Sequence, residues 1–452
     1  MKRLLFVLLL LVGVSGLAAA LRQDEDSPNL KPAADIPAAA IEADKKGWAL
    51  LEEYKKDYKD RSLVDKAVDE FKKAERLAAK PFPLASYHLG IAYQHTEDYK
   101  EAKRKLERCI ELNPKFHEAF LELGDTFSWL KQYDSAIATY EKALALKPDY
   151  AAALRNKGLA FMRKSDFVKA KECVDQALEV DPDDKFGAAI KKIVDKEVEG
   201  PKFEKEFKKE TAHFLVATNV DDKFTDWIAK HIELVYTKYE SIFPKQSKGK
   251  DKYRVIVFDT VKQYMDYGSP ANTGGYYQDL TKKLVFWKQP KDSDTLLVLY
   301  HETFHQFLAY YLDHAPQWFN EGHGDYFGPS VYNEKTRQME IKTNPWRLRT
   351  VQSMIQANKY EPFAKLMQMT QQEMYNPRTI GQNYAQAWSM VIFFWHGEGG
   401  KYAKNLQAYF QFLAKDEELK GAFDAGFGKL DMGKVEAEWK KYVLALKEGS
   451  GP

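Results

Sequence analysis

A repeat with a fixed period of 34 residues most strongly constrains how this 452-residue chain can fold. A glycine, an alanine and a proline each recur at that interval. The recurring positions are Gly90, Gly124 and Gly158; Ala102, Ala136 and Ala170; and Pro114, Pro148 and Pro182. Glycine lets two helices touch closely, alanine packs the second helix against its neighbour, and proline ends that helix. The pattern therefore predicts stacked helix pairs that form an all-α solenoid.

These positions resemble the tetratricopeptide repeat. The large aromatic position of each copy is filled by Tyr93, Phe127 and Phe161. We place the repeats at 45–197, with three clear copies at 83–184 and a degenerate copy before them. Residues 185–197 are predicted to form a helix that caps the end of the solenoid. The resemblance implies a concave groove for a peptide or protein partner; a rigid spacer that packs against the next domain is the alternative.

Six side chains on the first helices of the repeats are predicted to face this groove. They are Tyr87, Gln94, Asp125, Trp129, Arg155 and Arg163. Their chemistry combines both charges, an amide and aromatic rings, so it does not define a single ligand.

The first twenty residues have the organisation of an export signal. Lys2 and Arg3 precede an apolar run over residues 4–14, and small residues at 18–20 form a cleavage site. We therefore predict a signal peptide at 1–20, a flexible spacer at 21–44, and a periplasmic or secreted protein. The apolar run is short for a membrane span, so membrane attachment is expected only if the signal stays uncleaved.

Net charge bears on the possible partners. The chain carries a formal charge of +2, and Lys2 and Arg3 are the only charged residues of the first twenty, so the remainder is neutral. A neutral chain has no bulk electrostatic attraction for nucleic acid, which is not an expected partner. The two cysteines, Cys109 and Cys173, lie on predicted helices two repeats apart and are expected to be unpaired.

A charged linker at 198–208 separates the repeats from a second domain at 209–446. Its predicted elements are strands at 213–217 and 253–258, a hairpin of 275–279 with 283–288, and helices at 221–243, 293–312 and 316–327. Later helices carry aromatic residues at helical spacing and are predicted to be scaffold. The expected fold class is therefore an all-α solenoid followed by an α+β domain with a mostly helical C-terminal part.

The helix predicted at 293–312 contains the motif HETFH. His301 and His305 are four residues apart, so both imidazoles project from one helix face and can share one Zn²⁺. Glu302 lies beside them, where it can take a proton from water at the fourth coordination position. A structural pair of surface histidines is the alternative interpretation of the bare motif.

The next predicted helix supplies a third ligand. Glu321 follows His305 after fifteen residues, and a turn at Asp313–Ala315 would bring its helix back against the first. Asp325 is one turn further along the same face, where it is expected to hydrogen-bond the far nitrogen of a ligating histidine. Two histidines, one carboxylate and an open position are typical of a catalytic zinc site.

This half resembles the gluzincin metallopeptidases, in particular the peptidase-MA-like group, over roughly residues 210–446. The matching residues are His301, Glu302, His305, Trp318, Glu321 and Gly322, followed by Tyr326 and Phe327. The resemblance implies a zincin-like metallopeptidase domain in which Glu302 is the general base and the two histidines and Glu321 bind zinc. It also implies a β-sheet whose edge strand, placed at 283–288, pairs with extended substrate.

Three residues bear on the details of such a site. His323 stands where the family more often has an aliphatic residue, and it is a spare ligand, a proton donor or an exposed helix residue. Asp325 replaces a commoner glutamate. Tyr384, on a predicted helix, resembles the downstream tyrosine with which several gluzincins stabilise an oxyanion; a buried core tyrosine is the alternative.

Together these features predict an exported zinc metallopeptidase. Zinc-activated water attacks a peptide carbonyl, Glu302 takes the proton and delivers it to the leaving amine, and the repeats recruit a protein partner or the substrate. A non-catalytic scaffold with a vestigial zinc domain is the alternative from another class, and a zinc hydrolase acting on a non-peptide amide is a third.

Overall fold

The computed structural model describes residues 35–56, 60–243, 252–271, 273–312, 315–416 and 419–452. These residues form two compact units, which we call the repeat unit (35–200) and the mixed unit (201–452). The predicted signal peptide and most of the predicted spacer lie outside the described residues.

The repeat unit is built from consecutive helices that pack in pairs. Its described part has α1 Ala38–Lys55, α2 Arg61–Leu77, α3 Pro83–His95, α4 Tyr99–Leu112, α5 His117–Trp129, α6 Tyr133–Leu146, α7 Ala151–Arg163, α8 Phe167–Val180 and α9 Lys185–Glu199. A methyl group on Gly90 would lie 2.5 Å from Leu106 Cγ, and one on Gly158 would lie 2.8 Å from Val174 Cγ2. The helical solenoid is therefore confirmed, and these two helix contacts leave no room for a side chain.

Helix α1 begins inside the segment predicted to be a flexible spacer at 21–44, so that boundary is wrong. Pro37 precedes the first turn, and Ala40 and Ala43 are buried in the core of the repeat unit. Packing of these small alanines outweighs the prolines and polar residues that suggested flexibility. At the other end, α9 extends to Glu199 and Gly200 follows it with a φ of 66°, so the linker begins later than the predicted residue 198.

Most of the predicted groove side chains are buried, which corrects the expectation of an open groove lined by them. The buried members are Tyr87, Gln94, Asp125 and Arg155, at 3–4% exposure, and the partly exposed ones are Trp129 and Arg163. Asp125 accepts hydrogen bonds from Tyr140 Oη at 2.5 Å and Asn156 Nδ2 at 2.9 Å. Arg155 Nη1 donates to Asp184 Oδ2 at 3.1 Å. Because two of these contacts join the first helix of one repeat to the start of the next helix pair, the polar residues help to hold the repeats together.

The mixed unit contains a five-stranded sheet in the order β1-β2-β3-β5-β4. The strands are β1 Phe207–Glu210, β2 Phe214–Thr218, β3 Tyr253–Phe258, β4 Gly275–Gln278 and β5 Lys283–Trp287. The three central strands are parallel, and β1 and β4 pair antiparallel at the edges. The predicted strands and hairpin are confirmed, whereas β1 begins inside the predicted linker and ends at Glu210.

The edge strand differs from the one expected at 283–288. Strand β5 lies between β3 and β4, so placing the edge at 283–288 is wrong. Val285 and Phe286 are fully buried, as a central strand requires. Strand β4 forms the edge instead, and its residues from Tyr276 to Gln278 are partly exposed.

Two helices cover one face of this sheet, α10 Asp222–Ile242 and α12 Asp292–Leu308. The other elements are α11 Val261–Asp266, α13 Gln317–Phe327, β6 Val331–Asn333, β7 Gln338–Glu340, α14 Pro345–Gln356, α15 Phe363–Met367, α16 Gln371–Met374, α17 Ile380–Gly400, α18 Ala403–Asp416, α19 Leu419–Gly426 and α20 Met432–Ala445. Helix α17 packs against α13, α14, α18 and α20 at the centre of this mostly helical part. Within the described residues, no helix has both the length and the apolar character needed to cross a membrane.

Candidate metal centre

Helix α12 begins with two acidic residues and, further along, places His301, Glu302 and His305 close together. Asp292 and Asp294 lie in its first turn, where negative charge is favourable. One helical turn separates His301 and His305, and their ring centroids are 4.7 Å apart. The candidate ligand atoms of these histidines and of Glu302 all lie within 4.8 Å of one another.

Helix α13 brings Glu321 to the same point. Its Oε2 atom lies 3.4 Å from His301 Nε2 and 3.6 Å from His305 Nε2, and the residue is 4% exposed. Ligands about 2.0–2.1 Å from a tetrahedral zinc ion are about 3.3–3.4 Å from each other. The separations of Glu321 Oε2 from the two imidazole nitrogens are therefore close to those between ligands of one zinc ion. The turn predicted at Asp313–Ala315 between the helices includes residues 313 and 314, which are outside the described chain.

The charges of the centre stabilise one another. Burial alone would raise the pKa of Glu321, but His305, His301 and the Tyr375 hydroxyl outweigh it and lower that pKa to about 2. Burial would likewise lower the pKa of His301, but hydrogen bonds to Asp325 and Glu321 raise it above its ordinary value. Glu321 is therefore a carboxylate at neutral pH, and its charge together with that of Asp325 favours the protonated form of His301.

The far nitrogens of both histidines face oxygen atoms. Asp325 Oδ1 lies 3.4 Å from His301 Nδ1. The sequence predicts this contact between Asp325 and the far nitrogen of a histidine. Asn320 Oδ1 lies 2.8 Å from His305 Nδ1, a contact that no sequence pattern indicated. With these oxygens as acceptors, each Nδ1 is the hydrogen-bond donor, and each Nε2 is the nitrogen that faces Glu321.

Two tyrosines from the C-terminal part of the mixed unit approach Glu321. Tyr375, just after α16, donates its hydroxyl to Glu321 Oε1 at 2.6 Å or to Gln317 Oε1 at 2.7 Å. Tyr384, on α17, is partly buried, and its ring lies 6.2 Å from that of Tyr375. Burial, together with the negative charge of Glu321, raises the pKa of Tyr384 well above its ordinary value. The sequence predicts a role for Tyr384 but not for Tyr375, which lies outside any periodic segment.

His323 is a core residue, so the interpretation as an exposed helix residue is wrong. It is fully buried, its Nδ1 contacts Phe319 O at 2.8 Å, and its Nε2 accepts from Trp395 Nε1 at 3.1 Å. The ring stacks on Phe304, and burial lowers its pKa to about 3. Both ring nitrogens of this neutral imidazole are therefore used in packing contacts, and neither serves as a spare ligand.

Glu302 is oriented by the edge strand of the sheet. The backbone N–H of Tyr277, on β4, donates to Glu302 Oε2 at 3.1 Å. In an antiparallel pair, a residue whose N–H points away from its partner strand also points its carbonyl away. The outer edge of β4 and the carboxylate of Glu302 are thus immediate neighbours.

Replacing Gly324 with alanine is expected to disturb His301 directly. A methyl group at Gly324 would lie 2.8–2.9 Å from three atoms of the His301 ring, so the imidazole has to move. We expect a loss of about 1–3 kcal/mol in the free energy of unfolding and weaker zinc binding. Thermal unfolding and zinc titration of the Gly324→Ala variant check this, with exposed Gly381→Ala as the control, because a methyl group there meets no atom within 4 Å. Equal zinc affinity in both variants would contradict the close packing.

Comparison with family models covers both units. Residues 83–116 and 151–184 match models described as tetratricopeptide repeats, and residues 130–165 match a TPR repeat model. The repeat unit therefore contains tetratricopeptide repeats, which generally bind protein partners or peptides. Residues 296–419 match a family described as a protein of unknown function (DUF1570). The matched range contains the candidate ligands His301, His305 and Glu321, and it also contains Glu302, Tyr375 and Tyr384. The family description assigns no activity to any of them.

Solved structures match the chain over about a third of its length. MamA is 26% identical over 30% of this chain and 86% of its own, with a TM-score of 0.25. YrrB, a TPR protein with an unusual peptide-binding site, is 23% identical over 34% and 86%, with a TM-score of 0.28. A tetratricopeptide repeat protein from Parabacteroides merdae is 18% identical over 36% and 61%, with a TM-score of 0.31. No curated protein matches the chain.

Proposed function

We propose that this chain is a zinc-dependent peptidase whose catalytic centre lies in the mixed unit. The observation that carries the proposal is the convergence of His301 Nε2, His305 Nε2 and Glu321 Oε2, with 3.4 and 3.6 Å between the carboxylate and the two nitrogens. Two imidazoles and one carboxylate are the donor set of catalytic rather than structural zinc sites. When bound there, zinc would polarise a carbonyl and make a water molecule nucleophilic at neutral pH.

In this proposal Glu302 is the general base. Its carboxylate is close to the candidate ligand atoms of both histidines, and the Tyr277 N–H fixes one of its oxygens. The other oxygen can accept the proton of an attacking water and later deliver that proton to the leaving amine. The edge strand thus orients the base while Glu302 itself stays outside the ligand set.

Tyr384 is proposed to donate a hydrogen bond to the oxyanion that forms from the substrate carbonyl. Its raised pKa keeps the hydroxyl protonated at neutral pH, as a donor must be. Tyr375 has a different task, because its hydroxyl donates to Glu321 or to Gln317. We therefore assign Tyr375 to holding the ligand and Tyr384 to the substrate.

The substrate is proposed to be an extended peptide that pairs with β4. Tyr277 points its N–H away from β5 and towards Glu302, so Gly275, two residues earlier, faces the same outer edge. An extended chain added to that edge would gain backbone hydrogen bonds beside the general base. This edge replaces the strand at 283–288 in the role that the sequence resemblance implied.

The repeat unit is proposed to recruit a protein partner or the substrate itself, and the protein is proposed to act outside the cytoplasm, in the periplasm or as a secreted protein. A non-catalytic scaffold is the second candidate function, and the tetratricopeptide repeats favour it. The two functions differ in whether peptide bonds are cleaved when zinc is bound.

Metal removal tests the proposal on the purified full chain. With one equivalent of zinc, we expect cleavage of internally quenched peptides from a mixed-sequence library, read as fluorescence and located by mass spectrometry. 1,10-Phenanthroline should abolish the signal, and added zinc should restore it, because the ion supplies the nucleophile. Cleavage that persists after chelation would refute zinc dependence, and zinc binding without cleavage of any library member would favour the scaffold.

A further inference from the structure

We propose that Arg347 is a positioning residue that restrains the side chains packed behind two proposed metal ligands, His301 and Glu321. The inference rests on the proposed function, because it concerns the same centre. Arg347 lies on α14, outside both helices that carry the ligands, and no sequence motif identified it. Two separate contacts of its side chain connect it to the centre.

The first contact reaches His301 through Asp325. Arg347 Nε donates to Asp325 Oδ2 at 2.6 Å, and the other oxygen of that carboxylate lies 3.4 Å from His301 Nδ1. The Asp325 side chain is 5% exposed, so an isolated charge there would be costly. Arg347 supplies the opposite charge and fixes the plane of the carboxylate, which in turn fixes the ring orientation of His301.

The second contact reaches Glu321 through the tyrosines. Arg347 Cζ lies 5.0 Å from the centroid of the Tyr384 ring, within the range of a cation–π contact. Tyr384 packs beside Tyr375, whose hydroxyl bonds to Glu321. The Arg347 guanidinium therefore restrains Asp325, which lies behind His301. It also restrains the tyrosine pair that lies beside Glu321.

Arginine suits this position better than lysine does. The planar guanidinium can donate from Nε within its plane while its face lies against an aromatic ring, whereas an ammonium is a compact point charge. The backbone also favours the placement, since Asn344 caps the start of α14 and accepts from the Arg347 N–H at 3.2 Å.

The test compares Arg347→Met and Arg347→Lys with wild type in the full chain. The matched control is Arg349→Met, because Arg349 lies on the same helix but pairs with Glu448 at the surface. Zinc affinity is measured by competition with a chromogenic chelator, and the visible absorption spectrum of the Co²⁺-loaded protein reports ligand geometry. Thermal unfolding of the metal-free variants separates folding from metal binding.

We expect Arg347→Met to weaken zinc binding roughly 10- to 100-fold and to change the Co²⁺ spectrum. Arg347→Lys should recover the thermal stability, because it restores the charge beside Asp325, but not the affinity or the spectrum. Arg349→Met should match wild type. If Arg347→Met does not fold, Arg347→Lys decides, and wild-type affinity and spectrum in that variant would overturn the inference. Absence of zinc binding by wild type would instead overturn the metal centre itself, and the inference with it.

Discussion

Glu302→Gln is expected to lower peptide cleavage by about 10²- to 10⁴-fold, the usual contribution of a general base. The amide keeps the shape of the carboxylate, and its oxygen can still accept from the Tyr277 N–H that now bonds Glu302 Oε2 at 3.1 Å. It cannot take a proton from water. Because Glu302 lies outside the proposed ligand set, zinc content should stay at the wild-type level, and the loss should appear in kcat.

The measurement pairs cleavage of the quenched-peptide library with metal analysis of the same sample. Glu334→Gln is the control, since Glu334 is an exposed acid that pairs with Lys230 at the surface of the mixed unit. Cleavage by Glu302→Gln at the wild-type rate would remove Glu302 from the mechanism. Loss of zinc together with activity would mean that this carboxylate is a ligand rather than a base.

Local spacing accounts for most of what sequence analysis predicted. The four-residue step between His301 and His305 fixes their common face as soon as the segment is helical, and the β-rich run at 253–258 forms β3 with the same bounds. The glycine period likewise predicts helix contacts, because a side chain at Gly90 or Gly158 would overlap the facing helix. Each of these features depends on one short segment or on a strict period.

Features that depend on long-range pairing were missed. The position of β4 at the sheet edge follows from the order of strands that are distant in sequence. Asn320 and Tyr375 reach the ligands only through the packing of α12, α13 and the segment after α16. His323 shows the same limit, because a lone histidine on an amphipathic helix does not reveal that Trp395 and Phe319 will cover it.

Zinc binding is expected to depend on both His301 and pH. Wild type should bind about one zinc ion per chain. Loss of a residue that only hydrogen-bonds to a ligand typically weakens metal binding roughly 10- to 100-fold. His301→Ala should weaken zinc binding more than that, because a proposed ligand itself is lost. His117→Ala is the control, since it removes an imidazole from the repeat unit. Metal analysis after dialysis and chelator competition provide both values. A wild-type protein without zinc would refute the centre.

The pH dependence follows from the raised pKa of His301. In the metal-free protein, protonated His301 is stabilised by Asp325 and Glu321 at low pH, and this stabilisation is lost as pH rises through the raised pKa. Zinc has the opposite preference, because it needs the unprotonated Nε2. Its affinity should therefore rise with pH by up to about tenfold per unit until His301 is neutral in the free protein. Since bound metal stabilises the fold by mass action, the zinc-induced shift in Tm should be larger at pH 8 than at pH 6. A zinc-induced shift that is the same at both pH values in wild type would exclude His301 as the group that loses the proton.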